Sequence, residues 1–324
     1  MMTKWVRRGA GVLAWIATTI GAAGVALHAS PSSSRLLVLA ASGALYLMTG
    51  ALIGIVVFAA LGRWIGVAVA GLVVIGAAVT QAPLHVGGAD PGGSDTADVA
   101  VRVMQTNILF GGADPAAVVA EVRDRNVEIL TVDELSPEAV DGLSAQGLDG
   151  LLPHRYLAPA AGANGTGIWS AYPLSETVEY DGFVMNQLSA NAHVPGVGPV
   201  AVYAFHPVPP VFGTHVWAAE LSRLRDILDR TPATHPAIVG ADFNATFDHA
   251  QFRALLAGRF GDAVEQAGAG NLATYPTDKK FPPVVGIDRI LVAGGRAAEV
   301  TAVDIPGADH RAVVARLHLD VERP

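Results

Sequence analysis

The chain has 324 residues, room for one large domain or two smaller ones. Hydrophobic residues make up 51% of it and charged residues only 15%, against roughly 25% in soluble domains, so a uniformly soluble protein is excluded. No cysteine is present, which excludes disulfides, cysteine-ligated zinc and thiol nucleophiles.

The charge is divided along the chain. Up to Val86 there is no Asp or Glu, and the basic residues there are Lys4, Arg7, Arg8, Arg35 and Arg63. All 29 acidic residues come later, with the other 16 basic ones, so the second part carries a formal net charge of −13 within the chain's −8. An acidic surface does not grip nucleic acid by its phosphates, although a local basic groove stays open. It suits a site that gathers divalent cations.

Three apolar runs open the chain, over residues 10–27, 36–61 and 65–79. A helix needs roughly 20 apolar residues to cross a bilayer, and the third run reaches that length only by extending toward Leu84. The runs predict three transmembrane helices within residues 1–85, with the lipid bilayer as partner. A cleaved signal peptide also fits the first run, but two further runs follow directly. Lys4, Arg7 and Arg8 favour a cytoplasmic N-terminus, Arg63 agrees, and Arg35 weakly opposes. Three spans then put the later part on the extracytoplasmic side of the cell membrane. Gly21 and Gly24 suit close helix packing. No ionisable residue falls inside a span, which argues against a transporter or channel. Residues 86–97, VGGADPGGSDTA, read as a flexible linker before a domain at 98–324.

From Asp98 onward short apolar runs alternate with turn signals. Strands are predicted over 99–105, 127–132, 167–170, 188–193, 200–205, 237–239, 287–292 and 312–319. Residues 115–125 read as a helix, with Asp114 as N-cap and Pro115 in the first turn. Residues 217–228 and 251–256 also have helical periodicity. The pattern suggests two packed mixed sheets with helices outside, an α/β fold.

Polar residues at strand ends sit on a rigid rim and are the informative ones. They are Asn107 after Gln105 and Thr106, Asp133-Glu134, His206, Asp242-Phe243-Asn244, Asp288 and Asp309-His310. Singly each has a bland reading. Asn107 serves as a turn residue, Asp133-Glu134 opens a helix, His206 ends a strand, Asp242 caps a turn and Asp309-His310 is a solvated loop.

Together, the strings VRVMQTNIL, VEILTVDEL, GTGIWSAYPL, VAVYAFHP, PAIVGADFNAT, VGIDRILV and GADHRAVV resemble the endonuclease/exonuclease/phosphatase family of metal-dependent phosphoesterases. Asp133 stands where the family usually has glutamine, Ala241 where it has glycine and Ala308 where it has serine. None of these departures removes a metal-binding atom.

The resemblance implies a four-layer α/β sandwich with the site at one edge of the sheets. It implies Glu134, Asn107 and Asp309 around Mg²⁺, with Mn²⁺ as an alternative. It also implies Asp242 as the base for an attacking water and Asn244 on the phosphate or the water. His310 would hydrogen-bond the phosphoryl oxygens, Asp288 would hold His310, and His206 would contact the phosphate.

The substrate stays open between nucleic acid and a lipid head group of phosphoinositide or sphingomyelin type. A loop at 271–283, carrying Tyr275, Lys279, Lys280 and Phe281, fits stacking on a base, a lipid contact or a plain solvated surface. A non-catalytic membrane-tethered binding protein is the rival class, and the complete polar set argues against it.

Overall fold

The computed structural model describes residues 3–87 and 98–321. Residues 88–97 of the expected linker lie outside the described residues.

The apolar region folds into helices α1 (Lys4–Ala29), α2 (Arg35–Ala41), α3 (Ala44–Met48), α4 (Gly50–Ala60), α5 (Trp64–Gln81) and α6 (Pro83–Val86). Among the described residues, α1 and α5 are each long and apolar enough to cross a membrane. The second apolar run is not one straight helix. It bends by 73° between α2 and the stretch Ala44–Ala60, and counts as a third span only if that bent pair is one. The break falls at Ser42-Gly43, where Gly43 leaves the helical backbone with φ −105° and ψ 11°. Gly21 lets α1 and α4 touch, since a Cβ there would come within 2.7 Å of the Ala51 backbone nitrogen.

The later part supplies β1 (Asp98–Asn107), α7 (Pro115–Asp124), β2 (Ile129–Asp133), α8 (Pro137–Ala145), α9 (Leu148–Leu151), β3 (His154–Ala158), β4 (Thr166–Ser170), β5 (Leu174–Glu179), β6 (Leu188–Val194) and β7 (Gly198–Phe205). It continues with α10 (Thr214–Leu228), β8 (Ala237–Asp242), α11 (Ala250–Arg253), β9 (Gly261–Asp262), α12 (Ala263–Ala267), β10 (Asp288–Ala293), β11 (Gly295–Asp304) and β12 (Arg311–Asp320). The strands form two six-stranded sheets, ordered β11-β12-β1-β2-β4-β3 and β5-β6-β7-β8-β10-β9. Each is mixed, with one parallel pair at its centre, β1 with β2 and β7 with β8.

Side-chain alternation builds the layers. Val101, Val103 and Ile129 face the second sheet, while Met104, Leu130 and Val132 pack under α7 and α8. On α7, Asp114 accepts from the Ala116 N–H at 3.0 Å, as the N-cap reading requires. On α10, Trp217, Leu221, Leu224 and Leu228 recur at helical spacing and join the core of the second sheet. Burying each such side chain contributes about 1.5–3 kcal/mol. The result is a four-layer sandwich of two packed sheets flanked by helices.

Helices and sandwich share this core. Val38 of α2 and Leu84 of α6 are buried within the sandwich cluster. Asp248 accepts from Gln81 Nε2 at 2.8 Å and pairs with His28 Nδ1 at 2.7 Å. His249 Nε2 lies 3.0 Å from the Val38 carbonyl, and the Gly270 N–H donates to Leu84 at 2.7 Å. These contacts gather at the C-terminal ends of α1 and α5. Arg7, near the start of α1, instead donates to the Leu61 carbonyl at 2.9 Å.

The two sheets approach closely at Gly240 of β8, where a Cβ would overlap Thr131 Oγ1 and crowd Gln105 Oε1. Gly240→Ala should therefore destabilise the full chain by about 1–3 kcal/mol in a denaturant titration in detergent. An unfolding midpoint equal to the wild type would show that the sheets do not need this contact.

Candidate active site

Strand register brings the polar ends together. On the first sheet Asn107 lies opposite Asp133, and on the second Asp242 lies opposite Asp288. A period of two places Asn107 and Asp133 on the face shared with Val103 and Ile129, toward the second sheet. Four strand-end side chains therefore meet between the sheets at one end of the sandwich.

Asn107 binds the group together. Its Nδ2 donates to Glu134 Oε1 at 3.0 Å and to Asp242 Oδ2 at 3.2 Å. Glu134 Oε2 accepts from the Phe110 N–H at 2.9 Å. Glu134 has φ +60°, a left-handed backbone that costs a non-glycine residue roughly 1–2 kcal/mol. That conformation aims its carboxylate back at Asn107, and the two hydrogen bonds offset the cost.

Asp242 is the centre of the site. Its Oδ1 accepts from the Asn244 N–H at 2.8 Å. Its Oδ2 lies 3.7 Å from His206 Nε2 and 3.8 Å from His310 Nε2. Asn244, also left-handed at φ +50°, donates through Nδ2 to the Pro207 carbonyl at 3.1 Å. His310 Nδ1 pairs with Asp288 Oδ2 at 2.8 Å, and the His310 ring packs on Tyr275 with centroids 4.7 Å apart. Asp309 Oδ1 stands 3.9 Å from His310 Nε2.

All eight residues expected at the site from the sequence thus gather here. Asn107, Glu134, His206, Asp242, Asn244, Asp309 and His310 surround or line one cavity, and Asp288 stands behind His310. Two residues outside that set support it. Gln187 clamps the His206 backbone through hydrogen bonds of 2.7 and 2.8 Å, and Asp133 accepts from the Asp242 N–H at 2.9 Å. Asp133 shows in the sequence as a polar strand end and as a departure from the family pattern, without its supporting role, and Gln187 carries no local signal.

Burial shapes the electrostatics. It raises Asp242 above its usual range, and neighbouring Asp288 adds to the rise against the lowering pull of His310 and His206. Asp309 is likewise raised by burial, and by Glu134, while His310 pulls it down. For His310 burial disfavours the charged ring, but Asp288 and Asp242 outweigh it and push the imidazole up to about 10. The ring is therefore cationic at neutral pH.

Three carboxylates, Glu134, Asp242 and Asp309, line the cavity, with no Lys or Arg beside them among the described lining residues. Crowded hard oxygens with His310 as their one charged partner among the described lining residues fit Mg²⁺ or Mn²⁺. Asp242, Asp288 and His310 also place ligand atoms within 4.8 Å of one another. The 2.8 Å Asp288–His310 contact, however, is a direct hydrogen bond with no room for an ion between the atoms. Glu134 and Asp309 are the better donors.

Two mixed sheets packed face to face thus carry a carboxylate–histidine cluster at one end. The profile of the Endonuclease/Exonuclease/phosphatase family matches residues 104–310, and the chain belongs to that family. Among solved structures it is similar to humanized D. rerio TDP2 carrying 14 mutations, at 14% identity and TM-score 0.58, covering 67% of this chain and 98% of that one. D. rerio TDP2 complexed with single strand DNA product aligns at 16% identity and TM-score 0.57, covering 68% and 99%. The endonuclease/exonuclease/phosphatase from Beutenbergia cavernae DSM 12333 aligns at 19% identity and TM-score 0.52, covering 68% and 72%. Identities this low carry the fold alone. A sequence search of curated proteins finds no match.

A histidine folded at about 10, against about 6.5 unfolded, contributes stability fully present below pH 6.5 and lost as pH rises through about 10. In NMR titration of the metal-free protein the His310 ring should stay charged past pH 8, and Asp288→Asn should move its titration toward the ordinary range. A wild-type ring that titrates near 6.5 would remove the pair from the account.

Proposed function

We propose that the chain is a divalent-metal-dependent phosphoesterase that hydrolyses phosphate esters, diesters first, by attack of an activated water. The observation that carries this reading is the pair formed by Asp242 and cationic His310 across a cavity that also receives Glu134 and Asp309. A base, a positive hydrogen-bond donor and a hard-ligand pair are what the chemistry requires.

Glu134 and Asp309 would hold Mg²⁺ or Mn²⁺, with Asn107 beside them. When bound, the ion supplies charge neutralisation of the phosphoryl oxygens. The remaining work falls to the chain's own residues. Asp242 Oδ2 accepts the proton of a water as its oxygen bonds to phosphorus. The ester bond breaks, and the leaving alkoxide takes a proton from solvent. The His310 Nε2–H donates to a phosphoryl oxygen as negative charge builds there, with Asp288 fixing the ring through Nδ1. Asn244 and His206 hold a second phosphoryl oxygen. A nuclease reading draws support from the single strand DNA product bound to D. rerio TDP2.

The same reading places the sandwich on the extracytoplasmic side of a cell membrane, anchored by α1 and α5. The support is geometric. The sandwich contacts gather at the C-terminal ends of those helices, and Arg7 and Arg63 meet at the other end, where Arg63 Nη2 donates to the Arg7 carbonyl at 3.4 Å.

Full chain in detergent, assayed on bis-p-nitrophenyl phosphate, should require Mg²⁺ or Mn²⁺ and lose activity in EDTA. Asp242→Ala should reduce kcat by about 10²–10⁴-fold, and His310→Ala by about 10²–10³-fold. Glu134→Gln should weaken Mn²⁺ binding measured calorimetrically. Undiminished turnover in Asp242→Ala, or unchanged Mn²⁺ affinity in Glu134→Gln, would overturn the corresponding assignment.

A further inference from the structure

The phosphoryl chemistry occupies one wall of the cavity. The cavity holds about 700 Å³, far more than a phosphate group fills. Away from Asp242 and His310 it is lined by Leu39 of α2, by Ser42 just after that helix and by Val184, Val208, Val211 and Phe212. Phe212 is 82% exposed, and Val184, Val211 and Phe110 are exposed on the same rim. An apolar rim around an apolar pocket marks a surface that something apolar covers.

The remaining wall comes from the apolar helices themselves. α2 bends away from the second apolar run, buries Val38 in the sandwich core and turns Leu39 into the cavity lining. Leu36 and Leu37 of the same helix are exposed. One cavity therefore runs without interruption from the carboxylate–histidine group to a segment continuous with the apolar helices. No Lys or Arg lines it among the described residues, so beyond His310 it lacks the row of cations that holds a polyanionic nucleic acid backbone.

We propose that the slot between α2 and the 208–212 loop holds the hydrocarbon tail of a phosphorylated lipid. The phosphoester of that lipid lies at Asp242 and His310, and the lipid is drawn from the bilayer in which α1 and α5 stand. This rests on the phosphoesterase reading and adds a substrate class to it. A tail along Leu39 and Phe212 removes from water apolar surface that a short soluble ester leaves wet. Each buried methylene is worth roughly fourfold in affinity, so an octyl chain burying three of them gains on the order of fiftyfold over methyl.

The test uses full chain in lipid nanodiscs with Mg²⁺, and partition into empty nanodiscs is subtracted. Methyl, butyl and octyl p-nitrophenyl phosphate are diesters with one leaving group and different tails. Binding of methyl and octyl phosphate to Asp242→Asn, by equilibrium dialysis, reads the tail without turnover. The expected result is kcat/KM rising at least about thirtyfold from methyl to octyl through KM, with a matching preference in binding. Leu39→Ser combined with Phe212→Ser should collapse the octyl-to-methyl ratio to within about threefold. Metal-dependent turnover indifferent to tail length, a ratio unmoved by the double variant, or a single-stranded oligonucleotide cleaved faster than the octyl ester would overturn the tail site while the hydrolase stands. Octyl preference in binding with no ester turned over would uphold the slot and sink the hydrolase reading.

Discussion

Much of this molecule hangs on one buried carboxyl group that joins two sheets. Asp133 Oδ2 accepts from Gln105 Nε2 at 2.6 Å within its own sheet and from the Asp242 N–H at 2.9 Å across the interface. Burial pushes Asp133 well above its ordinary value, and Asp242 adds to the rise against the hydrogen bonds that lower it. The Asp133 Oδ2 is thus a single acceptor shared by donors from both sheets. This bridge holds the start of the site loop, at Asp242, in place against the first sheet. The close passage of β8 at Gly240, the Asn107 bond to Asp242 and the turn that aims Asn244 are all referred to this point.

The site is then a problem of charge in a confined space. Asp242 and Asp288 are buried between the sheets, with Glu134 and Asp309 closer to solvent. The positive charge beside them resides on His310, which keeps its proton because two carboxylates outweigh the penalty of burial. That balance leaves a net negative cavity, and a phosphate ester entering it needs further positive charge. The hard oxygen set of Glu134 and Asp309 suits the ion that supplies it. The left-handed backbone at Glu134 is understandable on the same basis, since it delivers a carboxylate to a place no extended strand end reaches.

The helical region is more than a tether. Asp248, His249 and Gly270 on the sandwich meet His28, Gln81, Val38 and Leu84 on the helices, several of them buried. Buried polar groups satisfied in this way resist separation, because parting them exposes apolar surface and strands a carboxylate. The bend at Gly43 allows α2 to leave the direction of its apolar run and become part of the sandwich.

The sequence by itself determined the interior of this protein. The eight strands it predicts are the interior strands of both sheets, because a strand buried on two faces must be an apolar run. The four it missed, β3, β5, β9 and β11, are the four sheet edges. Edge strands pair on one side only and face solvent, as the mostly exposed Leu174–Glu179 does, so they need no apolar signature. The site residues were legible for a related reason, as polar side chains that end apolar runs and form a family pattern. Tertiary structure alone decided which strand ends meet, that Asp133 and Gln187 support them from behind, and that Leu39 of an apolar helix and Ser42 just after it share their cavity. Those facts depend on contacts between residues far apart in the chain, and hydropathy, a local property, carries no record of them.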